Sequence, residues 1–353
     1  MRYREGLEAM PTYEVEDRDW AIKLDANEST VNLPPLVEER LLARLSHLAL
    51  HRYPSDEAMT LLREALAHAF HVQTENVLLG NGSSEIIEKL FYAFGGQGRK
   101  ILYPTPSFSM YPIYARAADA QGIAFPLGEN WSLDVSAFIQ QAQREQVNLA
   151  VLCNPNNPTG NVWPREIIAE LAEKLPCPLL VDEAYIDFCP EHTATDLLPT
   201  HKNLLLTRTF SKAYGLAGAR VGFLLADADM VQTVAKAYMP YYLNALSLAT
   251  ADIVFQMRDE FQPRIAMTIA ERKRVEQALQ KVQGLQVFPS ATNFVLLRTF
   301  RAPELWEAFA AQGIGVRKFG TGSLQNCLRI SMGTRQENDI WLAAIEEFFH
   351  YKT

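Results

Sequence analysis

Lys212 stands in the run Thr207-Arg208-Thr209-Phe210-Ser211-Lys212-Ala213-Tyr214-Gly215-Leu216-Ala217-Gly218-Ala219-Arg220-Val221-Gly222. Hydroxyl residues precede the lysine, small residues follow it, and an arginine comes eight positions later. That combination offers an amine for covalent chemistry beside a fork that grips anions. Phe210, Leu216 and the small residues argue against a plain basic surface loop. Three other segments also deliver polar groups at the end of an apolar run. Leu79-Gly80-Asn81-Gly82-Ser83-Ser84-Glu85 reads as a strand, a glycine turn and a helix start, where free N–H groups attract an anion. Alone it reads more readily as a plain turn with a serine cap. Cys153-Asn154-Pro155-Asn156-Asn157-Pro158-Thr159-Gly160 is a loop stiffened by proline, able to hold an Asn amide toward a ligand or simply to turn the chain. Leu179-Leu180-Val181-Asp182-Glu183-Ala184-Tyr185 ends an apolar run on two carboxylates, which are costly to bury without a partner. Asp182 therefore makes sense beside a cation, unless the strand end is solvated.

Together these types meet the needs of one cofactor, pyridoxal 5'-phosphate. It requires an amine for its aldehyde, an anion for its ring nitrogen, donors for its phenolic oxygen and a cradle for its phosphate.

The four motifs, with Leu24-Asp25-Ala26-Asn27-Glu28 near the start and Leu328-Arg329-Ile330-Ser331-Met332-Gly333-Thr334-Arg335 near the end, resemble those of the fold type I pyridoxal-phosphate enzymes of the class I/II aminotransferase superfamily. Nearly the whole chain is covered, and the histidinol-phosphate aminotransferase subgroup is the most similar. The resemblance implies that Lys212 is the Schiff-base lysine and that Asp182 pairs with the ring nitrogen. Asn157 and Tyr185 hold the phenolic oxygen, and Lys212, Asp182 and Tyr185 form the catalytic set. The phosphate falls to Ser83, Ser84, Thr209, Ser211 and Arg220. Phe108 stacks on the ring, where tyrosine is usual in the subgroup. Tyr53 matches a tyrosine that reaches the phosphate of the neighbouring subunit's cofactor, which implies a homodimer with shared sites. Arg329 takes the substrate carboxylate or phosphate, Arg317 is a second phosphate contact, and Tyr13, Asn27 and Tyr241 line the substrate pocket. The implied reaction, part of histidine biosynthesis, exchanges an amino group between L-histidinol phosphate and 2-oxoglutarate, with glutamate as the other amino compound. A broad-range aromatic amino-acid aminotransferase and a threonine-phosphate decarboxylase are alternatives. No metal is implied.

These residues need a scaffold. Apolar runs at residues 77–79, 101–103, 149–152, 179–181 and 203–206 read as buried strands, alternating with helices over 84–94, 111–120, 133–145 and 165–175. Such alternation predicts an α/β fold with a mostly parallel sheet covered on both faces, and the resemblance implies that this sheet has seven strands. A helix over 36–50 follows the Pro34-Pro35 break. A long charged helix over 261–282 leads to strands at 286–288, 294–297 and 328–331 and helices over 303–312 and 336–350, a smaller α/β domain. The expected division is an N-terminal arm, 1–40, serving the small domain and the dimer, a large cofactor-binding domain, 41–260, and a small domain that closes on substrate, 261–353.

Composition narrows the class. Of 353 residues, 48% are hydrophobic and 21% charged, and the net charge is −8, which speaks against a nucleic-acid binder. No apolar stretch is long enough for a membrane span, and the first residues lack the apolar core of a signal peptide. Cys153, Cys177, Cys189 and Cys327 are scattered, with no paired spacing for zinc or a disulfide framework. A cytoplasmic enzyme with reduced thiols is expected.

Overall fold

The computed structural model describes Met10 and residues 18–350. Tyr13 lies outside the described residues. The short strand β1 (Ile22–Lys23) precedes the large sheet, built from β2 (Val77–Gly80), β3 (Lys100–Thr105), β4 (Gln121–Pro126), β5 (Leu149–Cys153), β6 (Leu179–Asp182), β7 (Leu204–Thr209) and β8 (Gly222–Ala226). Its order is β2-β8-β7-β6-β5-β3-β4, and only β8 runs antiparallel to its neighbours. The mostly parallel seven-stranded sheet is as expected. Every residue of β5, β6 and β7 is buried, because helices cover both faces and leave no polar side to alternate.

The helices are α1 (Pro35–Leu45), α2 (Asp56–Ala69), α3 (Gly82–Phe94), α4 (Met110–Ala117), α5 (Val135–Glu145), α6 (Arg165–Lys174), α7 (Ala228–Ala235), α8 (Ala245–Gln256), α9 (Gln262–Leu279), α10 (Ala302–Ala311) and α11 (Arg335–His350). Caps explain several starts: the side chains of Ser55, Asp134 and Asn244 accept from the backbone amides of Ala58, Ala137 and Ser247. The helix expected over 36–50 stops at Leu45. Bonds from His47 N to Arg44 O and from Leu48 N to Leu45 O tighten the chain into a turn there.

A second, antiparallel sheet is formed by β9 (Gln286–Phe288), β10 (Phe294–Arg298), β12 (Arg317–Phe319) and β13 (Cys327–Ser331), in the order β12-β13-β10-β9. The remaining strand, β11 (Ile314–Gly315), pairs in parallel with β1. This sheet has its own core of Val295, Leu297, Trp306, Ile330 and Trp341, to which Leu24 of the N-terminal segment also belongs. Helix α9 joins the two cores: Ile265 packs into that of the large sheet, Val275 and Leu279 into that of the small one. No helix among the described residues is long and apolar enough to cross a membrane.

Candidate active site

The parallel strands β5, β6 and β7 deliver their carboxyl ends to one edge of the large sheet, where ligands of such sheets gather. A cavity of about 440 Å³ opens there. Asn27, Ser83, Ser84, Phe108, Asn157, Asp182, Tyr185, Thr209, Ser211, Lys212, Arg220, Arg317 and Arg329 line it. Segments 304 positions apart in sequence thus meet at one site.

Strand alternation separates the two carboxylates at the end of β6. Glu183, fully buried, pairs with Arg208 at 2.8 Å and accepts from Ala194 N at 2.7 Å. Asp182 faces the cavity. Among the described residues its partners are all neutral: the Tyr111 hydroxyl at 3.1 Å, Ala184 N at 3.2 Å and the Thr207 hydroxyl at 3.4 Å. Burial pushes its carboxyl up to about 6, against the pull of those three donors. A buried carboxylate held by neutral donors at a cavity wall is prepared for a cation from the ligand.

Lys212 places a buried amine at the cavity wall. Burial lowers it to about 8, and the positive charge of Arg329 adds to the effect. Its Nζ donates to Ala26 O at 3.0 Å and lies 6.0 Å from the centre of the Tyr185 ring. The Tyr185 hydroxyl accepts from Asn27 Nδ2 at 2.9 Å, and burial holds the phenol above its ordinary value. Asn157 Oδ1 accepts from Arg329 Nη1 at 2.7 Å, which leaves the Asn157 NH₂ as its donor toward the cavity.

Hydroxyls and a guanidinium gather at another part of the cavity wall. Thr209 Oγ1 donates to Ser211 Oγ at 2.9 Å, and Arg220 Nη1 approaches the same oxygen at 3.5 Å. Gly82 opens α3 with φ of 80°, and a Cβ there would stand 2.6 Å from Arg220 Nη2. The positive φ favours glycine, and a Cβ there would push the Arg220 guanidinium from its place. A second pair of cations lies on the small sheet. Arg317 and Arg329 are direct partners across β12 and β13, so their side chains share a face. Arg329 also donates to Asp25 O.

These features fit pyridoxal 5'-phosphate. There is a buried carboxylate for a ring cation, an amine of lowered basicity, two donors for a phenolic oxygen, a phosphate cradle and Phe108 at the wall.

Two residues singled out for the site lie elsewhere. Tyr53 and Tyr241 stack on each other with centroids 4.3 Å apart and are 76% and 53% exposed. Tyr241 was expected to line the pocket; its ring instead shares an apolar face with Tyr53 at the surface. Sequence reasoning also missed residues. Tyr111, fully buried, reaches Asp182 from α4, and Cys153, at the end of β5, lines the cavity. Nothing in the sequence around Tyr111 points to Asp182.

Comparison with known proteins agrees with this geometry. The family described as "Aminotransferase class I and II" matches residues 20–345. The chain belongs to the class I and II aminotransferases, and it is a transaminase that uses pyridoxal 5'-phosphate. It is 36% identical over 344 residues to the histidinol-phosphate aminotransferase of Ruminiclostridium cellulolyticum, covering 96% of each chain. It is also similar to the crystal structure of histidinol-phosphate aminotransferase from Sinorhizobium meliloti in complex with pyridoxal-5'-phosphate, with TM-score 0.89, 25% identity, and 99% of this chain and 97% of that chain covered. The L-threonine-O-3-phosphate decarboxylase of Porphyromonas gingivalis matches with TM-score 0.81 and 26% identity, over 93% of this chain and 99% of that one.

Proposed function

We propose that the enzyme exchanges an amino group between L-histidinol phosphate and 2-oxoglutarate, a step of histidine biosynthesis. One observation carries this reading: Arg317 and Arg329, paired across β12 and β13, both line the cavity, in addition to Arg220. Two adjacent guanidiniums suit a phosphate dianion, and one of them suffices for a carboxylate. Arg329 then serves both substrates, and Arg317 favours the phosphorylated one.

Bound pyridoxal 5'-phosphate supplies an electron sink for negative charge at the amino-bearing carbon of the substrate. Lys212 Nζ takes the proton from that carbon as general base and later returns a proton as general acid. Its lowered basicity keeps a sizeable neutral fraction near neutral pH. Asp182 holds the proton on the ring nitrogen. Asn157 and Tyr185 donate to the phenolic oxygen. Ser83, Ser84, Thr209, Ser211 and Arg220 would hold the cofactor's phosphate, and Phe108 would pack against its ring and help orient it. Asn27 donates to the Tyr185 hydroxyl.

The working unit in this proposal is a cytoplasmic homodimer. The exposed Tyr53 ring reaches the cofactor phosphate of the second copy, and Tyr241, stacked on it, steadies that reach. Residues 41–260 form the cofactor-binding domain, and residues 261–353, with the arm 1–40, close over the substrate.

Steady-state rates with histidinol phosphate, phenylalanine and tyrosine as donors to 2-oxoglutarate test the substrate. Preference for histidinol phosphate is expected; preference for the aromatic acids would replace the proposal with a broad-range aminotransferase. A second reading, favoured by the likeness to the threonine-phosphate decarboxylase, predicts carbon dioxide release from O-phosphothreonine.

A further inference from the structure

Tyr185 has one hydroxyl proton, and what that proton faces depends on the group behind it. Behind it lies Asn27, 1% exposed, with φ of 55° in the left-handed region that Asn tolerates better than most residues. Its backbone N–H donates to Ser331 Oγ at 2.9 Å. Ser331, buried on β13, therefore turns its own proton elsewhere, and it donates to Asn27 Oδ1 at 3.1 Å. With Oδ1 engaged, the Asn27 amide has only one orientation, which presents Nδ2–H to Tyr185 at 2.9 Å. Asn293 Nδ2 donates to Asn27 O at 3.2 Å and holds the same turn from the small sheet.

We infer that Ser331 and Asn27 form a directional relay that points the Tyr185 hydroxyl proton into the cavity. Each bond fixes the sense of the next: Asn27 N–H to Ser331, Ser331 O–H to Asn27 Oδ1, Asn27 Nδ2–H to Tyr185. Because Tyr185 already accepts from Asn27, its proton is left for the oxygen of the ligand in front of it. Ser331 lies two residues from Arg329 on the same face of β13, so the relay also ties the strand carrying the substrate arginine to Tyr185. Asn27 and Ser331 are positioning residues, since they act through Tyr185. The inference rests on the reading of Tyr185 as donor to the phenolic oxygen of the cofactor.

The experiment is a pH titration of the visible absorption of the holoenzyme. A donor to the phenolic oxygen stabilises its anionic form, so loss of that donor raises the pH midpoint of the absorption change. The variants are Ser331→Ala, Asn27→Gly, Tyr185→Phe and the double variant Ser331→Ala/Tyr185→Phe. Glycine keeps the left-handed backbone at position 27 while removing the amide, so one probe survives if Ser331→Ala fails to fold. The expected result is a rise of about 0.5 to 1 pH unit in Ser331→Ala and in Asn27→Gly, the size of one modest hydrogen bond. Tyr185→Phe raises the midpoint at least as much, and adding Ser331→Ala to it produces no further rise. A wild-type midpoint in the folded Ser331→Ala and Asn27→Gly proteins overturns the relay while leaving Tyr185 as donor. A full Ser331→Ala shift that persists in the Tyr185→Phe background also overturns it. An unmoved midpoint in Tyr185→Phe removes the donor reading beneath it.

Discussion

Tyr111 donates its hydroxyl proton to Oδ2 of Asp182 across 3.1 Å, from a ring with no exposed surface. The ring stands edge-on to Phe108, 5.5 Å between centroids, so one residue supports both the carboxylate and the stacking wall. Tyr111→Phe removes a donor to a buried charge, a loss of about 1 to 3 kcal/mol when the carboxylate is ionised. The deficit is present above the Asp182 value of about 6 and fades as the pH falls through it, because the protonated carboxyl needs the donor less. Thermal unfolding of the apo-protein at pH 8 and pH 5 checks this. The gap between wild type and variant should be wider at pH 8.

Asp182 itself works against stability in the apo-protein. Its folded value of about 6 lies above the ordinary 3.8, so ionisation is disfavoured in the fold. The penalty is full above about pH 6 and disappears as the pH falls toward the unfolded value. Asp182→Asn should therefore stabilise the apo-protein at pH 7.5 by roughly 2 to 3 kcal/mol. Losing the charge opposite the ring nitrogen should lower transamination by at least about 100-fold, as for other preorganised charges. Opposite signs in apo-protein stability and holoenzyme turnover are the signature; a variant less stable at pH 7.5 than wild type would contradict it.

How much of this was legible in the sequence follows from chain distance. The segments around Lys212, Asp182, Asn157 and Gly82 each lie directly after a buried strand, and parallel strands bring such ends together without further information. Local patterns marked these segments, and the family resemblance picked out the residues within them that line the cavity. Two strands of the large sheet escaped: β4 lies at an edge and is mostly exposed, while β8 begins on a glycine and runs only to Ala226. Tyr111 was invisible because its partner lies 71 positions away and the bond crosses from helix to strand. Tyr241 does not line this chain's own cavity, and no sequence pattern says which way its loop faces. Glu183 was read together with Asp182 as one carboxylate pair, whereas alternation along β6 sends it to Arg208 instead.

Lys212 should titrate far below a free lysine. Its value of about 8 arises first from burial and then from Arg329. Only the neutral amine adds to an aldehyde. The rate at which apo-protein captures pyridoxal 5'-phosphate should then rise with pH and level off above about 8, not above the ordinary 10.5. Arg329→Leu removes a nearby positive charge and should move the inflection upward. Lys212→Ala should show neither the inflection nor turnover. Stopped-flow absorbance across pH 6.5 to ~10 reads all three, a window set to bracket a lysine lowered by burial.

Arg317 separates the two substrates if the second anion site is used as proposed. Its partner across the ladder, Arg329, reaches Asn157 and Asp25 as well as the cavity, so Arg329→Ala disturbs the cofactor wall and should damage both half-reactions. Among the described residues the Arg317 side chain makes no such hydrogen bond to the cofactor wall. Arg317→Ala should raise KM for histidinol phosphate by about 10- to 100-fold, the range of one charge-assisted hydrogen bond. KM for glutamate and the absorption of the bound cofactor should stay near wild type. Parallel kinetics of the two half-reactions decide the matter: equal losses for both substrates would mean that Arg317 shapes the strand rather than binding the phosphate.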